Sequence, residues 1–410
     1  MTRPGEPQFR RASLALLLAG VATFALLYAT QPLLPALAAA FAVTPAQSSL
    51  SLSVATLTLA VGLLITGPIS EIVGRRVIML ASLFGASGAG VVCALAPTWE
   101  FLLAARAVEG LLLAGLPAVG VAYLREEVHP SAAGRVIGLY IGGNAVGGLS
   151  GRLVASALTE LGGWRTALLG IALIGAVCSI AVLMLLPPSR GFVAAPAGWS
   201  AVAARAAAAL RDPALLGLYA IGALIMGGFV GVYNAIGFRL EAEPYSLSTA
   251  VVGLVFLVYL CGSASSAAAG RLADRLGRAA VVPAGAALMA GGALVTLAAP
   301  LPLIIVGLAA MTAGFFAVHG VASGWVAARA QQTGRPIAQS ASLYLVLYYV
   351  GSSVGGSLST LAWRRGGWAE VVGITVALAG SALLIALAVG RAAPEAVSAS
   401  DRSPASPAAR

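Results

Sequence analysis

The chain has 410 residues, of which 60% are hydrophobic and only 9% charged. A water-soluble domain carries roughly a quarter charged residues, so a soluble enzyme is excluded. The formal charge of +10 comes from arginine alone, with no lysine, and these arginines sit in short links between apolar runs. That is the positive-inside pattern of a membrane protein and not a nucleic-acid groove.

A membrane-crossing helix needs about 20 predominantly apolar residues. The first such run, 13–35, follows Arg10 and Arg11 and continues past Tyr28 to Pro35. It has no small-residue cleavage site, so a first span is expected and not a signal peptide. Further spans are predicted at 47–68, 77–96, 100–124, 135–158 and 164–186, then at 214–238, 248–269, 279–299, 301–328, 338–361 and 368–390. The stretch between them contains Pro187-Pro188 and then Trp199–Leu210, which reads as a short amphipathic helix on the membrane surface. The expected organisation is a cytoplasmic tail over 1–12, a six-helix bundle over 13–186 and a cytoplasmic linker over 187–213. A second six-helix bundle over 214–390 and a disordered cytoplasmic tail over 391–410 follow. The fold class is an all-α membrane protein with twelve transmembrane helices in two pseudo-symmetric six-helix bundles. Alternate links carry eighteen arginines against four (Arg165, Arg239, Arg364 and Arg365), which puts both termini in the cytoplasm.

The halves repeat each other. Gly67-Pro-Ile-Ser-Glu71-Ile-Val-Gly74-Arg75-Arg76 returns 203 residues later as Gly270-Arg-Leu-Ala-Asp274-Arg275-Leu-Gly277-Arg278. Gly143-Asn144-Ala-Val-Gly147-Gly148 is matched by Gly351-Ser352-Ser-Val-Gly355-Gly356, and Gly162-Gly163-Trp164 by Gly366-Gly367-Trp368. Duplicated halves are how many transporters build a site at a repeat interface.

The two G-x-x-x-[DE]-x-x-G-R loops resemble the signature of the major facilitator superfamily. Arg106-x-x-Glu109-Gly110 is similar to its R-x-x-Q-G motif with Glu in place of Gln, and Gly143-Asn144-x-x-Gly147-Gly148 to its G-P-x-x-G-G antiporter motif with Asn in place of Pro. Tyr28-Ala-Thr-Gln31-Pro32-Leu-Leu-Pro35, Gly314 to Ser323 and Ala341 to Leu345 resemble an inner-membrane efflux branch. The resemblance implies the major facilitator fold in a bacterial inner membrane. It also implies export of a drug or metabolite by alternating access, with spans 1, 4, 7 and 10 lining the cavity.

Individual residues carry distinct expectations. Glu71 and Asp274 sit where they can bond an arginine or a helix N-terminus, so Gly67, Glu71, Gly74, Arg75, Arg76, Gly270, Asp274, Gly277 and Arg278 read as a cytoplasmic gate. Arg106 and Glu109 share one helix face; the pair is either a proton shuttle or a structural ion pair, and Glu109 is the one acid well inside a span. His319 reads as a proton relay or a bonded packing residue. Arg152 either snorkels to the surface or lines a site for an anion. Tyr28, Gln31, Asn144, Tyr233, Asn234, Tyr344 and Tyr348 are expected to line the substrate cavity beside it, their amides needing partners from a helix or a substrate. Cys93, Cys178 and Cys261 lie in apolar runs without metal-ligand spacing and read as packing residues.

No metal or cofactor is expected. With no lysine there can be no G-x-x-x-x-G-K-[ST] phosphate loop, hence no ATP drive within the chain. The expected partners are a small-molecule substrate, protons and the lipid bilayer, with no nucleic acid, and the chain is expected to be a monomer. Proton-coupled antiport leads; a proton symporter or organic-anion exchanger is the alternative. A membrane-embedded enzyme or a sensor is remote, because no H-E-x-x-H and no pair of carboxylates at catalytic spacing is present.

Overall fold

The computed structural model describes residues 6–189, 191–194 and 198–392. The tail expected over 391–410 lies outside them beyond Ala392, as do residues 1–5 of the N-terminal tail and 190 and 195–197 of the linker.

The described residues are helical throughout, in the order α1 (Pro7–Tyr28), α2 (Leu34–Phe41), α3 (Pro45–Val73), α4 (Arg75–Ala94), α5 (Trp99–Leu113), α6 (Gly115–Glu127) and α7 (Pro130–Leu185). There follow α8 (Trp199–Leu210), α9 (Pro213–Glu241), α10 (Thr249–Leu254), α11 (Tyr259–Leu276), α12 (Arg278–Val295), α13 (Leu301–Gln332) and α14 (Ile337–Ala392). Ten stretches are long and apolar enough to cross a bilayer. Two of them, α7 and α14, run for 56 residues each and double back at non-helical glycine pairs, Gly162-Gly163 and Gly366-Gly367. Ten plus two gives the twelve crossings expected from sequence. Gly163 and Gly367 have φ of 74° and 69°, a region that side-chain-bearing residues resist.

Two predicted spans are built differently from a plain rod. The first is interrupted after Tyr28, passes through a single 3-10 turn at Gln31–Leu33 and resumes as α2. Pro32 cannot donate an N–H to the carbonyl four residues earlier, so the ladder opens there. The link after it is therefore only 42–44, closed by a Thr44–Gln47 capping box. The second, span 8, also carries a 3-10 turn, Val255–Val258, between α10 and α11. The linker helix forms over Trp199–Leu210, the residues whose pattern predicts it.

Close helix crossings position the rest. α7 lies against α1 with Gly143 over the Leu17 backbone and Gly147 over Val21, where an added Cβ would meet the Val21 carbonyl oxygen at 2.3 Å. α14 lies against α9 in the same way, Gly351 over Ala223 and Gly355 over Gly227, the latter with 2.3 Å to the Gly227 Cα. Small residues allow this approach, which compensates for the lack of a hydrophobic drive between helices in lipid.

The halves meet along α3 and α14. Ser53 Oγ donates to the Ser353 carbonyl at 3.2 Å and lies 3.0 Å from Ser357 Oγ, Thr56 and Ser353 hydroxyls are 2.8 Å apart, and Thr360 donates to Ser49 at 2.9 Å. Ala250 N donates to Glu160 at 3.1 Å. These ties lie beyond the midpoints of their spans, at the end remote from the chain termini. At the terminal end, Ile72, Val73, Leu272 and Leu276 are exposed, and a Cβ at Gly67 or Gly270 would meet nothing within 4 Å.

Candidate functional site

Arg106 and Glu109 are both 1% exposed. Arg106 Nη1 donates to Glu109 Oε2 at 2.7 Å. Its remaining donors go to backbone: Nε to Ser51 O at 2.9 Å, Nη1 to Leu26 O at 3.2 Å and Nη2 to Leu27 O at 2.8 Å. Leu26 and Leu27 are in the last turn of α1, whose carbonyls lose their helical partners at the break before Pro32. The guanidinium therefore caps a broken helix and neutralises the negative end of its dipole. The same Glu109 oxygen accepts from Cys93 Sγ at 3.3 Å. Cys93, expected to be packing alone, is thus a third member of the cluster, brought in by α4 crossing α5. A thiol in an apolar run gives no advance signal of this.

A second cluster ties the halves together. Arg152 is 2% exposed, so it does not snorkel to the surface, one of its two expected roles. Its Nε donates to Gln31 Oε1 at 2.7 Å, and Nη1 to the Gly148 carbonyl. Gln31 Nε2 in turn donates across the interface to Asn234 Oδ1 at 2.8 Å. The guanidinium lies 4.0 Å from the centre of the Tyr28 ring, 4.8 Å from Tyr259 and 5.3 Å from Phe256. No acidic side chain pairs with it among the described residues. Asn144 is elsewhere: it wedges over Gly20 of α1, its Oδ1 2.5 Å from where a Cβ would stand, and is not part of this hub.

From Tyr259 an aromatic wall extends through the C-terminal half. Tyr259 meets Tyr233 edge-on at 4.9 Å, Tyr233 contacts Phe229 at 4.9 Å, and Phe229 stacks on Phe315 at 3.9 Å. Phe315 is parallel to the His319 ring at 6.0 Å, and His319 lies 4.6 Å from Tyr348. His319 Nδ1 is 3.0 Å from Tyr344 Oη, and Tyr344 and Tyr348 share one face of α14 at 6.2 Å, the wall their spacing predicts. The Tyr233 hydroxyl lies 2.7 Å from Thr312 Oγ1. Phe256, Tyr259, Phe229 and Phe315 were not singled out in the sequence; an unpatterned aromatic in an apolar run does not show which neighbour it will meet.

The glycine-arginine loops hold the expected turns. Gly74 and Gly277 have φ of 101° and 83° between successive helices. The expected arginine bonds of Glu71 and Asp274 are not made: neither forms a hydrogen bond or ion pair with the described residues in this conformation. Arg75 instead donates to Glu126 Oε1 at 3.1 Å and to the Ser70 hydroxyl. Arg76 donates to the Leu183 and Leu186 carbonyls at 3.3 Å, closing the end of α7. Span 7 is anchored by Asp212, which caps α9 through Ala214 N at 2.9 Å and accepts from Arg329 Nε at 3.0 Å. Burial raises the Asp212 pKa, but the Arg329 bond, the Leu215 and Ala214 N–H groups and the Arg329 charge outweigh it, so the carboxyl sits below its ordinary value.

Residues 16–257 match the family model of the Major Facilitator Superfamily. The chain is 44% identical to the inner membrane transport protein YnfM of Escherichia coli K12, over 94% of this chain and 91% of that protein. It is 40% identical to the MFS-type transporter YybF of Bacillus subtilis, over 94% of each. Its fold superposes on the nucleoside transporter NupG with a TM-score of 0.74 at 15% identity, covering 93% of this chain and 99% of that one. It superposes on a bacterial homolog of the human lysosomal transporter Spinster, in an inward-facing and occupied conformation, with a TM-score of 0.71 at 15% identity, covering 95% and 96%. The chain belongs to the Major Facilitator Superfamily and is a multi-pass secondary transporter, not an enzyme.

Proposed function

We propose that this transporter exports a small organic molecule from the cytoplasm in exchange for inward-moving protons, as a monomer with both termini cytoplasmic. The carrying observation is Glu109, the one acid fully buried at membrane depth among the described residues, held by Arg106 and Cys93. A buried ionisable group in a span is costly and marks ion or proton pathways. Separating Glu109 from Arg106 favours the neutral acid, and restoring the pair favours release of the proton. His319, partly exposed and bonded to Tyr344, is the second titratable group on the path, on the cavity wall of the other half.

The arginine asymmetry supports the orientation. The seam of hydroxyl contacts at the end remote from the termini, with the terminal end apart, supports a state open to the cytoplasm. One proton moving inward down ~100 mV supplies about 2.3 kcal/mol, enough to drive a useful gradient of a small solute. The two bundles, joined through the segment around α8, are the rocking bodies in this reading, with the Gly67–Arg76 and Gly270–Arg278 loops forming the latch in the opposite state.

The test is proton flux in proteoliposomes carrying an internal pH dye, screened across cationic dyes, sugars and organic acids. Protons moving opposite to one ligand, abolished in Glu109→Gln with the protein still folded in the membrane, are the expected result. Protons moving with the ligand would establish symport, and undiminished coupling in Glu109→Gln would remove Glu109 from the pathway.

A further inference from the structure

Arg152 is buried at membrane depth and pairs with no acidic side chain among the described residues, and a guanidinium is a cation with five N–H donors and no acceptor. Arg106, the other such arginine, is neutralised by Glu109. What surrounds Arg152 instead is the Gln31 amide oxygen, one backbone carbonyl and three aromatic faces. Ring faces attract a cation by about 0.5–2 kcal/mol each, well short of a carboxylate in the same position. The hydrogen-bonding capacity left over near the hub is rich in donors. Nη2 of Arg152 makes no hydrogen bond with the described residues, and Asn234 Nδ2 and the Tyr259 hydroxyl are buried without a partner. Asn234 is joined to Arg152 through Gln31, and Tyr259 through its ring.

We infer that Arg152 anchors the anionic group of an organic substrate whose apolar or aromatic body lies along the wall from Tyr259 to Tyr348. A carboxylate meets the guanidinium through Nη2 and accepts from Tyr259 and Asn234, and in doing so it supplies the counter-charge that no described residue provides. Because Gln31 bridges Arg152 to Asn234 across the interface, a ligand drawing on the same donors also reaches the tie between the halves. This inference rests on the transport reading for its site, but not on proton coupling or on direction.

The experiment is equilibrium binding to the purified full-length protein in detergent, followed by calorimetry, with benzoate, 2-naphthoate, benzamide and benzylammonium as probes. Benzoate or naphthoate is expected to bind saturably, benzamide at least tenfold more weakly, and benzylammonium not at all. Arg152→Gln is expected to weaken carboxylate binding at least tenfold, the scale of a charge-assisted pair, and Arg152→Lys to retain most of it. Should Arg152→Gln not fold, Tyr259→Phe, which removes one hydroxyl, is expected to weaken benzoate by a factor of several while leaving the charge ranking intact. Carboxylates that fail to bind, amides or amines that bind as well as carboxylates, or affinity unmoved by these substitutions would overturn the inference. Carboxylate binding through Arg152 in a protein with no proton flux would refute the antiport reading alone. Proton-coupled export restricted to cations would do the reverse.

Discussion

Arg106, Glu109 and Arg152 place the buried charge at membrane depth in the N-terminal half, whereas the C-terminal half fills the same depth with Phe229, Tyr233, Tyr259, Phe315, His319, Tyr344 and Tyr348. The backbones beneath are close copies. α7 crosses α1 on Gly143 and Gly147, and α14 crosses α9 on Gly351 and Gly355. Even where the small residue changes sides the crossing survives: Gly151 faces Ala25 in the first half, while Ser359 faces Gly231 in the second. At the far end both halves use a tryptophan after the glycine pair with an arginine against it. Arg165 stacks on Trp164 and donates to the Ala96 carbonyl, and Arg239 stacks on Trp368 and donates to the Ala298 carbonyl. Helix approach in lipid tolerates little variation, because any added atom strikes backbone. The side chains that point at the interface are free to diverge, and one half became the electrostatic partner of the other's aromatic surface.

The largest expected effects test the shared scaffold. Gly147→Leu and Gly355→Leu force side chains into carbonyl oxygens and Cα atoms, so both are expected to lose monodisperse protein on gel filtration, at about 3 kcal/mol or more each. Gly142→Leu, where a Cβ meets nothing within 4 Å, is expected to be tolerated. A folded Gly147→Leu beside an unfolded Gly355→Leu would break the equivalence of the halves.

Next come the unlike fillings. Arg106→Ala strands the Glu109 carboxylate and three backbone carbonyls, and is expected to lower stability by about 3–5 kcal/mol, read by denaturant unfolding in detergent. Tyr233→Phe removes one hydroxyl bond in the aromatic half and is expected to cost about 1 kcal/mol. Comparable losses would show that the aromatic half depends on polar bonds as much as the charged one.

The smallest effect concerns Asp212 and Arg329. With the Asp212 pKa depressed in the folded state, its stabilising contribution is complete above the unfolded value of about 4 and is lost as pH falls through the lower folded value. Asp212→Asn keeps a cap but loses the ion pair, so it is expected to cost about 1 kcal/mol or less at pH 7, and less as pH falls below the unfolded value. A loss that stays undiminished as pH falls would assign the effect to capping.

Much of this was legible in the sequence, and the exceptions have a common cause. Spans follow from apolar length, the Arg106–Glu109 contact from i,i+3 spacing, the turns from Gly74 and Gly277, and the linker helix from its amphipathic pattern. What sequence does not carry is which side chains meet across helices. Gln31 finds Asn234 from 203 residues away, Cys93 reaches Glu109 through a crossing of α4 and α5, and Tyr259, the first residue of α11 after a 3-10 turn, meets Arg152 from the other half. Glu71 and Asp274 illustrate a different case: the repeat places them at matched positions in the two loops, but neither finds a partner among the described residues.

In the proposed transport cycle two rigid halves exchange which end is closed, with the α3–α14 hydroxyl seam shutting the far end here. The most direct test is electron-spin distance measurement on two labelled pairs, Ile72 with Leu272 at the terminal end and Glu160 with Ala250 at the far end, in proteoliposomes between pH 8 and pH 5. Two discrete distances are expected for each pair, with the terminal pair shortening as the far pair lengthens. Distances that stay fixed in both pairs, or that move in the same direction, would contradict it.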